Sequence, residues 1–268
     1  MSDGVRSALS PSPPSADRRL PPIAVALDAP DLDTLARWAA WVAPHVSTLK
    51  IGLEVYCRDG SAAVDTARRS AANAGAPHVG IFLDLKLHDI PATVLGAARA
   101  VAHLEPAFLT VHAAGGAAMI EAAAQALPET RITAVTVLTS LDEQALVDIG
   151  MQGPAIEAAV RLASLAVSAG ARAIVCSPHE VAAIRDSVPS DIVLITPGVR
   201  PAGSSADDQK RTATPEQALA DGADLLVIGR PITAAPDIAV AAKQLGQVCS
   251  DALAARALDG DDIGGRVR

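Results

Sequence analysis

Charged residues interrupt an apolar run at residues 83–89, which read LDLKLHD. If this segment is a β-strand, alternate side chains point to opposite faces, so Asp84 and Lys86 share one face and the leucines lie on the other. Asp89 follows at the start of the next loop. An ammonium group held between carboxylates keeps its proton, because opposite charges favour the charged form. Such a group can stabilise a developing carbanion and then protonate it.

Two more charged residues belong to earlier apolar runs, since Asp28 ends the run 23–28 and Lys50 lies inside the run 48–53. With Asp84 and Lys86, they place four charges on three consecutive candidate strands. The alternative is an ordinary buried ion pair, or strand ends exposed to solvent. Because burying an unpaired ion costs several kcal/mol, a cluster of this size favours a functional site.

A second group of polar residues lies near the C-terminus of the chain. The long segment 196–211, TPGVRPAGSSADDQKR, is rich in Gly, Ser and charged residues, and Gly229-Arg230 ends a later apolar run. An arginine beside a glycine amide suits a phosphate group, and the loop 200–211 is long enough to act as a lid. The alternative is a surface loop beside a solvated arginine. Together the two clusters predict one phosphorylated small molecule. This cluster lies at the other side of the fold, and the reactive end of the molecule lies over the first three candidate strands.

Eight short β-branched runs alternate with eight Ala-rich segments of helical period. This alternation predicts a parallel sheet, and we expect an α/β fold of the (β/α)₈ TIM-barrel type in a single domain. The alternative is an open doubly wound sheet, but no GxGxxG follows the first run. The predicted strands are 23–28, 48–53, 80–86, 108–113, 132–138, 173–177, 192–198 and 224–229. The predicted helices are 31–42, 61–75, 91–104, 115–127, 154–170, 178–188, 214–222 and 236–257.

Local signals set the boundaries of these elements. Asp31 or Asp33 and Thr214 are candidate helix N-caps, and Gly75 and Gly170 are candidate C-caps. Residues 1–21, rich in Ser, Pro and Arg, are predicted to form a disordered leader. The barrel is then expected to span 22–256, with a frayed tail over 257–268.

The composition excludes several classes of function. The chain has 268 residues, a net charge of −8 and only 2% aromatic residues, which argues against a nucleic-acid-binding surface. With so few aromatic residues, the core must be built from Ala, Val, Leu and Ile. No run of 18 or more apolar residues predicts a membrane span. Three widely spaced cysteines without a CxxC motif indicate reduced thiols in a cytoplasmic protein and no metal site.

Seven blocks in this order resemble those of the orotidine 5′-phosphate decarboxylase family. They are AVALD, LKIGLE, FLDLKLHDIPATV, VHAAGG, AVTVLTS, TPGVRPAGSSADDQKR and VIGRP, and together they span roughly residues 22–250. The resemblance implies a barrel enzyme that converts orotidine 5′-monophosphate (OMP) to UMP and CO₂ without any cofactor.

The resemblance also implies roles for individual residues. Lys86 would protonate C6 of the pyrimidine, Asp84 would lie beside the departing carboxylate, and Lys50 and Asp28 would bind the ribose. Asp89 and Thr93 would reach the ligand of a neighbouring subunit in a homodimer. Thr139 and Ser140 would contact the pyrimidine, while the phosphate would be bound by Arg200, Gln209, Gly229 and Arg230. Ala92 stands where the family usually has Asn, which removes one polar contact.

Two other functions remain open on the sequence. One is a metal-dependent sugar-phosphate lyase or decarboxylase on the same barrel, which would use the carboxylates as Mg²⁺ ligands. The blocks TVLTS and PGVRPAGSSADDQKR disfavour it. The other is a nucleotide-binding protein without activity, which retention of all the charged residues disfavours.

Overall fold

Eight parallel strands close into one barrel in the order β1-β2-β3-β4-β5-β6-β7-β8. A computed structural model describes residues 20–200 and 213–264 of the chain. β1 pairs with both β2 and β8, which completes the ring. This confirms the predicted (β/α)₈ barrel. The strands are β1 (Ile23–Ala26), β2 (Thr48–Gly52), β3 (Gly80–Leu87), β4 (Phe108–His112), β5 (Arg131–Val135), β6 (Ala173–Val175), β7 (Val193–Thr196) and β8 (Leu225–Ile228).

Helices connect successive strands around the outside of the barrel, as the period of the Ala-rich segments predicted. All eight predicted helices are present, and α2, α6 and α10 are short additions. The helices are α1 (Leu32–Val42), α2 (Leu53–Asp59), α3 (Ser61–Asn73), α4 (Pro91–Ala100), α5 (Ala117–Ala126), α6 (Glu143–Asp148), α7 (Ala155–Ser168), α8 (Val181–Ser187), α9 (Pro215–Ala220), α10 (Arg230–Thr233) and α11 (Ile238–Gly264).

The helix ends carry the caps that the sequence indicated. Asp31 accepts a hydrogen bond from the Thr34 amide at 2.6 Å, and Thr214 caps α9 in the same way. Gly75 and Gly170 lie one residue beyond the C-cap positions of α3 and α7, with φ of 85° and 93°. This left-handed conformation is why glycine occupies both positions.

The boundaries of the barrel differ slightly from those expected. The carbonyl of Pro21, in the predicted leader, accepts hydrogen bonds from Ile23 and Ser47, so the barrel begins there. The predicted tail begins inside α11, whose backbone is helical to Gly264. Residues 1–19 lie outside the described part of the chain. None of the described helices has the length and apolar character needed to cross a membrane.

The core has two layers, one between strands and helices and one inside the barrel. The outer layer is built mainly of Ala, Val, Leu and Ile, as predicted. The inner layer differs, because it holds both phenylalanines of the chain, with ring centroids 5.5 Å apart. The inner layer consists of Ala24, Phe82, Phe108, Ala173, Ile195 and Leu225. It fills the barrel below the polar residues and supports them.

Candidate active site

A cavity of about 600 Å³ opens at the C-terminal ends of the strands. This is the end of a barrel where chemistry usually occurs. The lining includes charged residues from the first three strands and loop residues that follow β5, β7 and β8. It is formed by Ala26, Asp28, Trp38, Lys50, Asp84, Lys86, Thr139, Pro197, Gly198, Val199, Arg200, Val227, Gly229, Arg230, Pro231, Thr233 and Ala234.

The Asp84 carboxylate is held between two ammonium groups. Its Oδ1 lies 2.7 Å from Lys86 Nζ, and its Oδ2 lies 3.2 Å from Lys50 Nζ. The two lysines come from different strands, and β2 pairs directly with β3. The sequence prediction that Asp84 and Lys86 share one face of β3 is therefore confirmed, and Lys50 joins them from the neighbouring strand.

Burial and charge act in opposite directions on Asp84. Burial raises the pKa of this carboxyl, but the nearby charges of Lys50 and Lys86 and their hydrogen bonds outweigh it, so the pKa is below its usual value. Asp84 is therefore ionised at neutral pH. An ionised carboxylate in this position holds both ammonium groups at fixed points on the cavity wall.

β3 departs from regular strand geometry where it carries Lys86. Leu83 pairs with Leu109 and Leu87 with Val111, so three residues of β3 lie opposite the single residue Thr110 of β4. Lys86 has a φ of 48°, in the left-handed region that side chains other than glycine rarely adopt. The simple alternation that the sequence predicted therefore ends at a bulge. Such bulges occur next to active sites, where they redirect a side chain.

Gly52 leaves space for the side chains of two of the charged residues. A Cβ at this position would lie 2.9 Å from Asp28 Oδ1 and 3.1 Å from Lys50 Nζ. Both distances are below normal contact. Because Gly52 has no side chain, Asp28 Oδ1 and Lys50 Nζ can both lie next to the end of β2, where Gly52 is paired with Asp84 of β3.

The residues that were predicted to bind phosphate line the same cavity as the charged residues of the first three strands. Because β8 pairs with β1, Arg230 lies next to the strand that leads to Asp28. One cavity therefore holds both clusters, as a single phosphorylated ligand with its reactive end over the first three strands requires. Arg200 and Gly229 complete this end of the cavity.

The base of the predicted lid is tied together at the cavity rim. Val199 and Ala213 form an isolated parallel bridge, and the Arg200 amide donates to the Ala213 carbonyl at 3.0 Å. Gln209 and most of the predicted lid lie outside the described residues. The bridge fixes where the two ends of that segment leave the barrel.

Of the predicted site residues that the structure describes, three do not line this cavity. Asp89, Thr93 and Ser140 are exposed to solvent. The Asp89 carboxylate accepts a hydrogen bond from the adjacent Ile90 amide at 2.6 Å, while the N-cap residue of α4 is Ile90, without a side-chain cap. Asp89 is therefore not the cap of α4.

Thr110, Gly52 and Trp38 belong to the site but were not predicted. Thr110 could have been found from strand alternation, because Phe108, Thr110 and His112 occupy one face of β4. His112 is half-buried, and its pKa is lowered by burial and by the neighbouring His88 and Lys86. Trp38 comes from a helix, and nothing in its local sequence distinguishes it from a core residue.

A family model matches most of the chain. The model described as the orotidine 5′-phosphate decarboxylase / HUMPS family matches residues 21–245. The chain belongs to this family. An orotidine 5′-phosphate decarboxylase from Thermobifida fusca (strain YX) is 68% identical over 224 residues, which cover 84% of this chain and 94% of that protein. One from Frankia casuarinae is 56% identical over 257 residues, covering 91% and 93%.

The fold is also similar to that of a solved structure from this family. The crystal structure of orotidine 5′-phosphate decarboxylase from Lactobacillus acidophilus matches with a TM-score of 0.72 at 34% identity. The match covers 85% of this chain and 98% of that one. The family match spans all eight strands, and therefore every element that contributes to the cavity.

Proposed function

We propose that this chain converts OMP to UMP and CO₂, a step of de novo pyrimidine biosynthesis. The observation that carries the proposal is the Asp84 carboxylate, held between Lys50 and Lys86 on the wall of the cavity that also includes Arg230. Relatives at 68% and 56% identity are named as decarboxylases, which supports this reaction over a sugar-phosphate lyase.

Lys86 is the residue to which we assign the chemistry. When the bond from C6 to the carboxylate breaks, the electron pair stays on C6 in an orbital that the ring delocalises poorly. The Lys86 ammonium stabilises this charge, and its proton then moves from Nζ to C6. Asp84 lies beside the leaving carboxylate and fixes the position of the lysine. No cofactor is required for this sequence of steps.

The other predicted residues are assigned to substrate binding, including Ser140, which is exposed next to the cavity residue Thr139. Asp28 and Lys50 bind the ribose hydroxyls, and Thr139 and Ser140 contact the pyrimidine. Arg200, Gly229 and Arg230 bind the phosphate, together with Gln209 from the segment that follows Arg200. Phosphate binding far from C6 would drive closure of that segment over the substrate, so remote binding energy helps to assemble the site.

The contacts of Asp84 also bear on the metal-dependent alternative. Both of its carboxylate oxygens are engaged by ammonium groups, at 2.7 and 3.2 Å. A carboxylate used in this way is a poor Mg²⁺ ligand, because the ion would have to displace a lysine. Within the described residues, no three or more His, Cys, Asp or Glu side chains form a candidate metal site.

One assay tests the proposed function. The purified chain is incubated with OMP, and the loss of OMP absorbance is followed while UMP and CO₂ are measured as products. We expect equal turnover with and without EDTA. Loss of turnover in EDTA that Mg²⁺ restores would favour the lyase type of chemistry. Ligand binding without product would indicate a nucleotide-binding protein and refute the proposal.

We further propose that the active unit is a homodimer in which Asp89 and Thr93 reach the partner's ligand. Both residues are exposed beside Ile90, a large apolar residue that is 66% exposed. An isologous dimer would cover this surface and create two equivalent shared sites.

We place the enzyme in the cytoplasm, because its three cysteines are free thiols, which a reducing compartment preserves.

A mixing experiment tests the shared site. Homodimers of Asp89→Ala and of Lys86→Ala should each be nearly inactive. A mixed dimer regains one complete site, which combines Lys86 of one chain with Asp89 of the other. Activity per mixed dimer should approach about half that of the wild type, since one of two equivalent sites is restored. If mass spectrometry confirms subunit exchange and activity does not return, Asp89 serves its own barrel.

A further inference from the structure

Thr110 connects the backbone of Lys86 to the carboxylate of Asp84. It lies in the middle of β4 and is fully buried. Its hydroxyl oxygen accepts a hydrogen bond from the Lys86 backbone amide at 2.8 Å and lies 3.1 Å from Asp84 Oδ1. The Leu83 carbonyl is a more distant acceptor, at 3.5 Å. The hydroxyl can therefore accept from Lys86 and donate to Asp84 at the same time.

The bulge in β3 explains why a hydroxyl is needed at this position. Because three residues of β3 lie opposite Thr110, the Lys86 amide cannot join the regular ladder of hydrogen bonds. An amide in this partly buried position needs another acceptor. The Thr110 hydroxyl supplies one, and in doing so it opposes the tendency of Lys86 to leave its left-handed conformation.

We infer that Thr110 is a positioning residue for decarboxylation, which holds Lys86 and Asp84 in their reactive arrangement. This inference rests on the proposed function. Thr110 does not line the cavity, so it acts through its two neighbours and not on the substrate. Its loss should lower kcat, which depends on where the ammonium lies, and leave KM nearly unchanged, since the ribose and phosphate contacts remain.

Thr110→Val is the test, because valine has nearly the same shape and lacks only the hydroxyl. We expect kcat to fall on the order of 10- to 100-fold, as for other small misplacements of a reacting group. Thr110→Ser restores the hydroxyl and should recover most of this loss. The matched control is Thr133→Val. Thr133 is the partner of Thr110 on β5 and is equally buried, but among the described residues its hydroxyl donates to the Arg131 carbonyl alone.

The outcomes separate positioning from general stability. A fall in kcat for Thr110→Val but not for Thr133→Val, with recovery by serine, supports the inference. Similar losses in both valine variants, unchanged kcat, or a rise in KM at normal kcat would overturn it. If the valine variant does not fold, Thr110→Ala is compared with Thr110→Ser in the same way.

A crystal structure of Thr110→Val provides a reading that needs no assay. We expect Lys86 to leave positive φ, or its Nζ to move away from the 2.7 Å contact with Asp84. An unchanged Lys86 would refute the positioning role even if the wild type does not decarboxylate OMP. Failure of the wild type alone in the OMP assay would instead refute the proposed function.

Discussion

Replacing Lys86 removes the ammonium to which we assign both charge stabilisation and proton delivery. Removing one electrostatic stabiliser costs about 10²- to 10³-fold in rate, and general acid catalysis contributes roughly 10²- to 10⁴-fold. Lys86→Ala should therefore lose at least about 10⁴-fold in kcat. The measurement is UMP formation at saturating OMP. Turnover near the wild-type value in a folded variant would refute the assignment.

The same substitution should have only a small effect on stability. Asp84 keeps Lys50 at 3.2 Å and the Thr110 hydroxyl at 3.1 Å, and the Lys86 side chain is 29% exposed. Removing one partner of a fully buried pair costs about 3–5 kcal/mol. With a second cation and solvent present, we expect about 1–2 kcal/mol, measured as the free energy of unfolding in urea.

The left-handed backbone of Lys86 also affects stability, and it predicts that the glycine and alanine variants differ. Alanine keeps a Cβ and therefore the strain, whereas glycine at φ 48° relieves about 1 kcal/mol. Lys86→Gly should thus be more stable than Lys86→Ala by about 1 kcal/mol, or roughly 2–4 °C in Tm for a barrel of this size. Both variants should be equally inactive, because both lack the ammonium.

Lys50 is the matched control for this comparison. It lies in a regular part of β2, paired with Ala26 and Phe82, and does not have a positive φ. Glycine within a strand is less stable than alanine by about 0.5–1 kcal/mol, so Lys50→Gly should be less stable than Lys50→Ala. We therefore predict that glycine is more stable than alanine at position 86 and less stable than alanine at position 50. The same order at both would refute the strained backbone of Lys86.

Three further perturbations probe the rest of the site. Gly52→Ala places a Cβ 2.9 Å from Asp28 Oδ1, so kcat/KM should fall roughly tenfold or more while Tm changes little; normal kcat/KM would contradict this. Arg230→Ala should raise KM for OMP about 10- to 100-fold and affect the phosphate-free nucleoside much less, whereas equal losses would exclude a phosphate contact. The lowered pKa of Asp84 contributes stability above about pH 4, which is lost as the pH falls through the folded-state pKa. In urea unfolding, the stability difference between wild type and Asp84→Asn should therefore shrink below about pH 4; a constant difference would argue against an ionised Asp84.

The sequence was sufficient to predict the elements and their order. β-branched runs and Ala-rich helical segments differ in period, and this difference is a local property that survives without any tertiary information. The same is true of the caps at Asp31 and Thr214, where a side chain bonds to a backbone amide three residues away. Strand alternation also predicted that Asp84 and Lys86 share one face. The two side chains do meet, but at a bulge where the regular period of two no longer holds.

The contacts between strands required the tertiary structure. The bulge in β3 depends on how this strand registers against β4, so neither the positive φ of Lys86 nor the role of Thr110 follows from either segment alone. Gly52 matters only because Asp28 and Lys50 converge on it. Ring closure likewise puts Arg230, which follows the last strand, next to the first strand β1. The sequence by itself determined which charged groups the barrel carries, because these are properties of single segments. The distances between the charged groups were decided by strand register, which only the packing of the whole barrel sets.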